Sequence, residues 1–172
     1  SWSGSPASSI TTANATDAEP MQTPDSLMVV RICDESGALR APDWLALAEG
    51  VHRQPRPQLP YDYARKMQKV FAEGGRMAVV TDGNQVFGLA VWRVFENAFE
   101  GSKFYVDDLV TDEAHRSIGV GEAMMAFLED EARKAGAQSL VLDSGTQRTR
   151  AHHFYFREGF VITAFNFKKQ LV

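Results

Sequence analysis

The sequence predicts a mixed α/β domain, and three stretches carry that prediction. "RMAVVTDGNQVFGLAVWRVF" reads as two apolar strands around an Asp82-Gly83 turn, an antiparallel hairpin. "KFYVDDLVT" and "SLVLDS" read as strands on either side of the helical stretch "EAMMAFLEDEARKAGA". A strand, helix, strand order over 104–143 implies a parallel crossover, so antiparallel and parallel strands share one sheet with helices packed on it.

Along the chain, residues 1–27 come first; they are rich in Ser, Thr, Ala and Pro and lack a sustained apolar period. They read as a flexible extension, partly left over from cloning, with Met21 and Met28 both open as natural starts and Trp2 as its one bulky residue. Residues 28–172 form the domain. "MVVRIC" reads as a strand, and "APDWLALAEGVHR" as a helix with Pro42 at its start and Trp44, Leu45, Leu47 and Ala48 as apolar surface. "RQPRPQLP" is a proline-broken loop. "YDYARKMQKVFAEGG" is a second amphipathic helix, with Tyr63, Met67, Val70 and Phe71 on one face and Gly74-Gly75 as its stop.

After the hairpin and "KFYVDDLVT", the crossover helix places Met124, Leu128, Ala132 and Ala135 at helical spacing, with Gly136 as cap. "SLVLDS" is a short continuous apolar run, as expected of a strand covered on both faces. "RAHHFYFRE" is a short helix stopped by Gly159, and "FVITAFNFKKQ" reads as a final strand.

Composition narrows the function classes. The 172 residues suit one domain against a prior of about 100–200. With 18 basic against 22 acidic residues the net charge of -4 argues against a nucleic-acid binder. Arg148, Arg150 and Arg157, and Lys168 with Lys169, still offer enough local charge for a small anionic ligand. Cys33 is the only cysteine, so no disulfide framework or cysteine zinc cluster is expected, and a reducing cytoplasm fits best. No apolar run reaches the roughly 18 residues of a membrane helix, and no membrane partner is expected. His152 and His153 diverge by about 100 degrees on a helix, so no metal site is expected there. His52 and His115 read as surface residues.

"HRSIGVGEAMM" places Gly119 and Gly121 at the start of a good helix, at a cost of roughly 1 kcal/mol relative to alanine for an interior glycine. One purpose is tight packing of helix on strand. Another is an anion site, because glycine admits unusual dihedrals and close approach, and unpaired amides at a helix start favour a pyrophosphate. No Gly-Lys-Ser/Thr follows, so a P-loop fails. A Rossmann fingerprint wants a third glycine where Met124 sits.

A different match is better. Arg116-Ser117-Ile118-Gly119-Val120-Gly121 resembles the Arg/Gln-x-x-Gly-x-Gly/Ala signature of the GCN5-related N-acetyltransferases. "FYVDDLVTDEAHRSIGVG" is similar to that family's central strand and pyrophosphate loop. "SLVLDSGTQRTRAHHFYFREGF" is similar to its next strand and the helix ending in Phe-Tyr-x-x-x-Gly-Phe. The resemblance covers about residues 28–172 and is strongest over 104–160.

It implies a mostly antiparallel central sheet with a splayed parallel strand pair, flanked by helices, and acetyl-CoA as cosubstrate without a metal. The amides of Arg116, Ser117, Ile118, Gly119, Val120 and Gly121 would hold the pyrophosphate. Leu109, Val110 and Thr111 would pair with the pantetheine arm, with the Val110 amide facing the reacting carbonyl. Asp143 and Ser144 would contact pantetheine or cap the following turn. Tyr155 would protonate the leaving thiolate, while Phe154 and Phe156 pack on the sheet.

The strand also resembles the "Glu-Asp-Phe-Phe-Val" of polyamine acetyltransferases, with Asp107 in place of the glutamate, as base or as an attractor of a cationic amine. Strand alternation puts Asp107 and Asp108 on opposite faces unless a bulge intervenes. The expected activity is direct acetyl transfer to a small-molecule primary amine, without a covalent acyl-enzyme. The competing expectation is a non-catalytic acyl-CoA sensor on the same fold. A homodimer through "VITAFNF" is compatible with the resemblance.

Overall fold

The computed structural model describes residues 27–171, so the extension expected over 1–27 lies, Leu27 apart, outside the described residues, as do Trp2 and Met21. Five strands form one sheet in sequence order: β1 (Met28–Arg31), β2 (Arg76–Thr81), β3 (Val86–Asn97), β4 (Gly101–Thr111) and β5 (Ser139–Leu142). β1 through β4 are antiparallel neighbours, and β5 runs parallel to β4. Helices α1 (Pro42–Arg53) and α2 (Tyr63–Ala72) cover one face, α3 (Val120–Lys134) covers the other, and α4 (Thr149–Arg157) follows β5. The mixed α/β class and the parallel crossover are as the sequence predicts.

The helices form where their apolar periods demand. Pro42 opens α1, where its missing N–H costs nothing. The Asp62 carboxylate accepts from the Arg65 amide at 3.0 Å to cap α2, and Tyr63, Met67 and Phe71, one turn apart, are its buried stripe. Met124, Leu128 and Ala132 face the sheet from α3, but Ala135 lies just past the helix and is exposed. β2 and residues 86–92 of β3 are buried almost throughout because they lie between both helical layers, whereas the far end of β3 emerges into solvent. Ile32, Leu45, Phe71 and Met77 belong to the core under α1 and α2; Trp92, Phe104, Met124 and Leu128 belong to the core under α3. Each such side chain contributes about 1.5–3 kcal/mol by leaving water.

Gly88 sets how closely α3 approaches the sheet. A Cβ there would lie 2.6 Å from Val120 Cγ1 and 2.8 Å from the Val110 carbonyl oxygen. Gly88→Ala is expected to destabilise the fold by about 1–3 kcal/mol, read as a drop in midpoint by denaturant melts.

Two strand expectations are corrected. β5 is four residues long and half-buried throughout, not covered on both faces. The segment "FVITAFNFKKQ" forms no strand: residues 161–171 are exposed and pair with no sheet edge. Alternating apolar residues make a strand only when a neighbouring edge takes their backbone hydrogen bonds, and here no described strand lies beyond β5. Phe156, expected to pack, is 53% exposed.

Two irregularities of β4 shape the cleft beside it. Val91 opposes Asp108 and Trp92 opposes Val106, so Asp107 is the extra residue of a β-bulge. Pairing with β5 runs only from Lys103 to Val106, whereas pairing with β3 continues to Thr111. Beyond the bulge the two parallel strands splay, leaving one edge of β4 bare.

Candidate active site

The bare edge of β4 is one wall of an open cleft of about 630 Å³. Leu109, Val110 and Thr111 line it on one side, and Arg148, Arg150, Phe154, Tyr155 and Arg157, on and before α4, on the other. The polar groups on that edge follow from the ladder. Asp112 N–H donates to the Phe87 carbonyl at 2.8 Å, and Thr111 and Val110 oppose Gly88 and Leu89. Antiparallel alternation therefore turns the N–H and C=O of Val110 toward β3 and those of Leu109 and Thr111 toward the cleft. The Val110 amide, expected to face the reaction, belongs to the sheet.

At the far end of β4 a single 3-10 turn, Glu113–His115, leads into Arg116–Gly121. Ser117 has φ +67° and Gly119, at the N-cap of α3, has φ +88°. Two left-handed residues in this run turn the chain sharply ahead of a helix start whose cap supplies no side-chain acceptor. Amides so arranged are an anion seat. Arg150 Nη2 donates to Ser117 Oγ at 3.0 Å, tying α4 to the loop. Arg116 and Arg157 also line the cleft, in long ion pairs with Glu113 (3.2 Å) and Glu122 (3.7 Å). Gly121 serves packing as well, since a Cβ there would lie 3.2 Å from the Phe154 ring.

A smaller cleft of about 170 Å³ continues past the bulge, lined by Asp107, Asp108, Leu109, Ser144, Arg148 and Tyr155. Tyr155 therefore stands between the two. Its ring packs edge-on against Phe154 and tilted against Phe160. Burial pushes its phenol above the ordinary value, with Arg148 pulling the other way. Ser144 Oγ is buried without a hydrogen-bond partner. The Asp143 carboxylate caps nothing; it accepts from Tyr105 Oη at 2.7 Å and Asn166 Nδ2 at 2.6 Å.

The bulge brings both β4 carboxylates to the α1 side, where alternation alone would have separated them. Asp107 Oδ2 accepts from Nε and Nη2 of Arg93 at 2.8 and 2.6 Å. Asp108 accepts from His52 Nε2 at 3.2 Å and from Arg56 at 2.8 and 2.6 Å. Burial alone would raise the Asp108 carboxyl, but the His52 hydrogen bond and the Arg56 guanidinium outweigh it and hold it below the usual carboxylate range.

His52, expected at the surface, is 2% exposed. The signal was present: it stands seven residues after Leu45 and four after Ala48 on the buried face of α1. Arg93, Arg56 and Tyr63 had no comparable signal as site residues. His115 is half-buried, its Nδ1 2.5 Å from Asp112 Oδ2 and its ring against Phe87.

Cys33 lies in the core, where burial pushes its thiol up, far from the chemistry of a nucleophile. His152 Nε2 is 3.0 Å from the Gly145 carbonyl oxygen. Among the described residues no group of three or more His, Cys, Asp or Glu is arranged to hold a metal, and no helix is long and apolar enough to cross a membrane.

The bare edge, the anion loop, the arginines and the orphaned Ser144 hydroxyl fit a long, anionic ligand with a thread-like arm, as coenzyme A is. Residues 41–160 match the Acetyltransferase (GNAT) family. The chain is 41% identical over 71 residues to the uncharacterized N-acetyltransferase YhdJ of Bacillus subtilis, covering 41% of this chain and 50% of that protein. It is 38% identical over 66 residues to the aminoalkylphosphonate N-acetyltransferase of Salmonella typhimurium, covering 38% and 43%. The matches thus span half or less of these curated relatives. Among solved structures it is similar to the aminoglycoside N-acetyltransferase AAC(6')-Iy in complex with CoA, with a TM-score of 0.71 at 14% identity over 86% of this chain and 96% of that one. A Trypanosoma brucei acetyltransferase gives 0.68 at 18% identity over 85% and 100%. At such identities the structural likeness shows the fold.

Proposed function

The chain belongs to the acetyltransferase (GNAT) family, and on that premise we propose that it is an N-acetyltransferase moving the acetyl group of acetyl-CoA directly onto a primary amine of a small molecule. The observation that carries this reading is one cleft that joins the bare β4 edge, the Arg116–Gly121 loop and the Tyr155 phenol. When bound, acetyl-CoA supplies an acetyl group activated as a thioester. The chain's residues do the rest.

The amides of Arg116 to Gly121 hold the pyrophosphate, assisted by the surrounding arginines. The backbone of Leu109 and Thr111 pairs with the pantetheine arm, which Val110 supports by fixing β4 to β3. Ser144 Oγ offers the arm a further hydrogen bond, and Asp143, held by Tyr105 and Asn166, lines the smaller cleft beside it. Because the Arg116–Gly121 loop lies past the C-terminal end of β4 and Tyr155 lines the cleft on both sides of the bulge, Leu109 is the residue of the bare edge that would meet the reactive end of bound acetyl-CoA. The Leu109 N–H then stabilises charge developing on the acetyl oxygen. Tyr155, kept protonated by burial, donates its proton to the leaving sulfur. Asp107 takes the proton of the attacking amine, directly or through water.

The named relatives support a small amine as acceptor: one is described as acting on aminoalkylphosphonates, and one structural neighbour on aminoglycosides. The single buried cysteine suits a cytoplasmic protein. The exposed Val161, Ile162, Phe165 and Phe167, on a segment that Asn166 ties to Asp143 just after β5, suit a homodimer. Thiol release from acetyl-CoA, measured with aminoethylphosphonate, propylamine, neamine and a lysine peptide, tests the activity. Release with a small amine is expected. CoA binding without release on any amine would instead identify an acyl-CoA sensor.

A further inference from the structure

We propose that Asp108 is the seat of the acceptor's ammonium group and that His52, backed by Tyr63, is the positioning residue that holds it. This seat rests on the acetyl-transfer reading and narrows the acceptor to alkylamines that are cationic at neutral pH. The two carboxylates of the bulge are held differently. Asp107 is engaged by Arg93 of the neighbouring strand. Asp108 is gripped from the protein interior: the His52 ring is 2% and the Tyr63 side chain 3% exposed.

A carboxylate only accepts, so His52 Nε2 carries the hydrogen and donates it to Asp108 Oδ2. In the neutral ring Nδ1 is then the acceptor for the Tyr63 hydroxyl, 2.9 Å away. The tautomer follows from the network, and the chain of donors runs one way, ending on Asp108. Such an arrangement orients an anion without removing its charge.

The other oxygen of Asp108 pairs with Arg56. Arg56 sits on the loop after α1 between Pro55 and Pro57, with its side chain 40% exposed against 17% for Asp108. It is the solvent-side partner, and an incoming cation can share or replace it while His52 keeps its hold. The charged and titratable groups facing Asp108 are His52 from α1, Tyr63 from α2, Arg56 from the loop, Asp107 from β4, and Arg148 with Asp143 across the small cleft. A carboxyl held below the ordinary range is a poor proton acceptor but a constant negative charge, which suits a seat. Proton removal is left to Asp107. A neutral arylamine gains nothing from such a seat; an alkylammonium gains a charge-assisted hydrogen bond.

Steady-state kinetics with acetyl-CoA test the idea, using aminoethylphosphonate and propylamine as alkylamines and aniline as the neutral amine. Wild type is expected to prefer the alkylamines. Asp108→Asn should raise their KM about 30-fold, in line with losing a hydrogen bond to a charged group, while kcat and CoA affinity change by less than about threefold. Asp107→Asn should instead lower kcat.

His52→Gln, which keeps a donor, should retain most of the affinity. His52→Leu should raise KM and shift its acid-side rise to higher pH, because burial then acts on Asp108 unopposed by the imidazole. A purely structural His52 would lower thermal stability in both variants without moving the pH profile. Unchanged alkylamine KM in Asp108→Asn, or a wild-type preference for aniline, overturns the seat while leaving acetyl transfer intact. CoA binding by wild type with no transfer to any amine overturns both.

Discussion

Tyr155→Phe is expected to lower kcat about a hundred- to a thousandfold while leaving CoA affinity and the fold nearly unchanged. Phenylalanine keeps the ring contacts to Phe154 and Phe160, with centroids 5.7 and 5.8 Å away, and removes only the hydroxyl. The loss falls on the proton that the departing sulfur needs, so it appears in turnover rather than binding. The pH profile adds a second readout. Burial favours the neutral phenol, so its proton is available through the physiological range and is lost only at a pH above that at which an ordinary phenol ionises. In the wild type kcat should fall on that basic limb; in Tyr155→Phe the limb should be absent. Steady-state kinetics and calorimetric titration with CoA check both, and equal kcat in the variant would return Tyr155 to packing.

The other large effect is expected for Gly121→Val: CoA affinity falls about a hundredfold, with a loss of stability on the order of 1–3 kcal/mol. Helix packing and anion binding, both open as purposes at the sequence level, meet at this residue. A Cβ at Gly121 would press on Phe154 Cε2 and Cζ at 3.2 Å, and the Val methyls would push further. Phe154 belongs to α4, which also carries Tyr155 and Arg150, the partner of Ser117. Displacing that helix widens the cleft and loosens the loop together. Gly119 has space around it, with only Leu27 Cδ1 at 4.0 Å, but holds φ +88°, so its glycine is required by conformation rather than contact. Calorimetry with CoA beside thermal melts separates the two losses in Gly121→Val; an unaltered CoA affinity with a lowered melting point would assign this glycine to packing.

The parts of this molecule that are local in sequence were legible there. The Asp82-Gly83 turn, the stripe Tyr63, Met67 and Phe71, and the glycine-bearing start of α3 each follow from residues a few positions apart. The bulge does not. "YVDDLV" contains no glycine and alternates acceptably in either register, and only the opposition of Val91 and Trp92 to Asp108 and Val106 makes Asp107 the extra residue. That single residue decides which carboxylates share the cleft and which amide faces it. It moved the cleft-facing N–H from Val110 to Leu109 and Thr111 and brought Asp108 beside His52.

His52 itself was misplaced for a different reason. Its residue type suggested the surface, while its spacing from Leu45 and Ala48 put it inside. The segment "FVITAFNFKKQ" has a strand's pattern but no partner edge among the described residues, and pairing is not a property of one segment.

Whether this cleft transfers an acetyl group, rather than merely binding the molecule that carries it, is decided by the fate of the label in isotopically labelled acetyl-CoA. The protein is incubated with that cosubstrate and with aminoethylphosphonate, propylamine or neamine, and the products are read by mass spectrometry. One labelled acetyl group on the acceptor nitrogen is expected, with one free thiol released for each and no labelled protein. Saturable CoA binding with every amine recovered unlabelled would refute acetyl transfer.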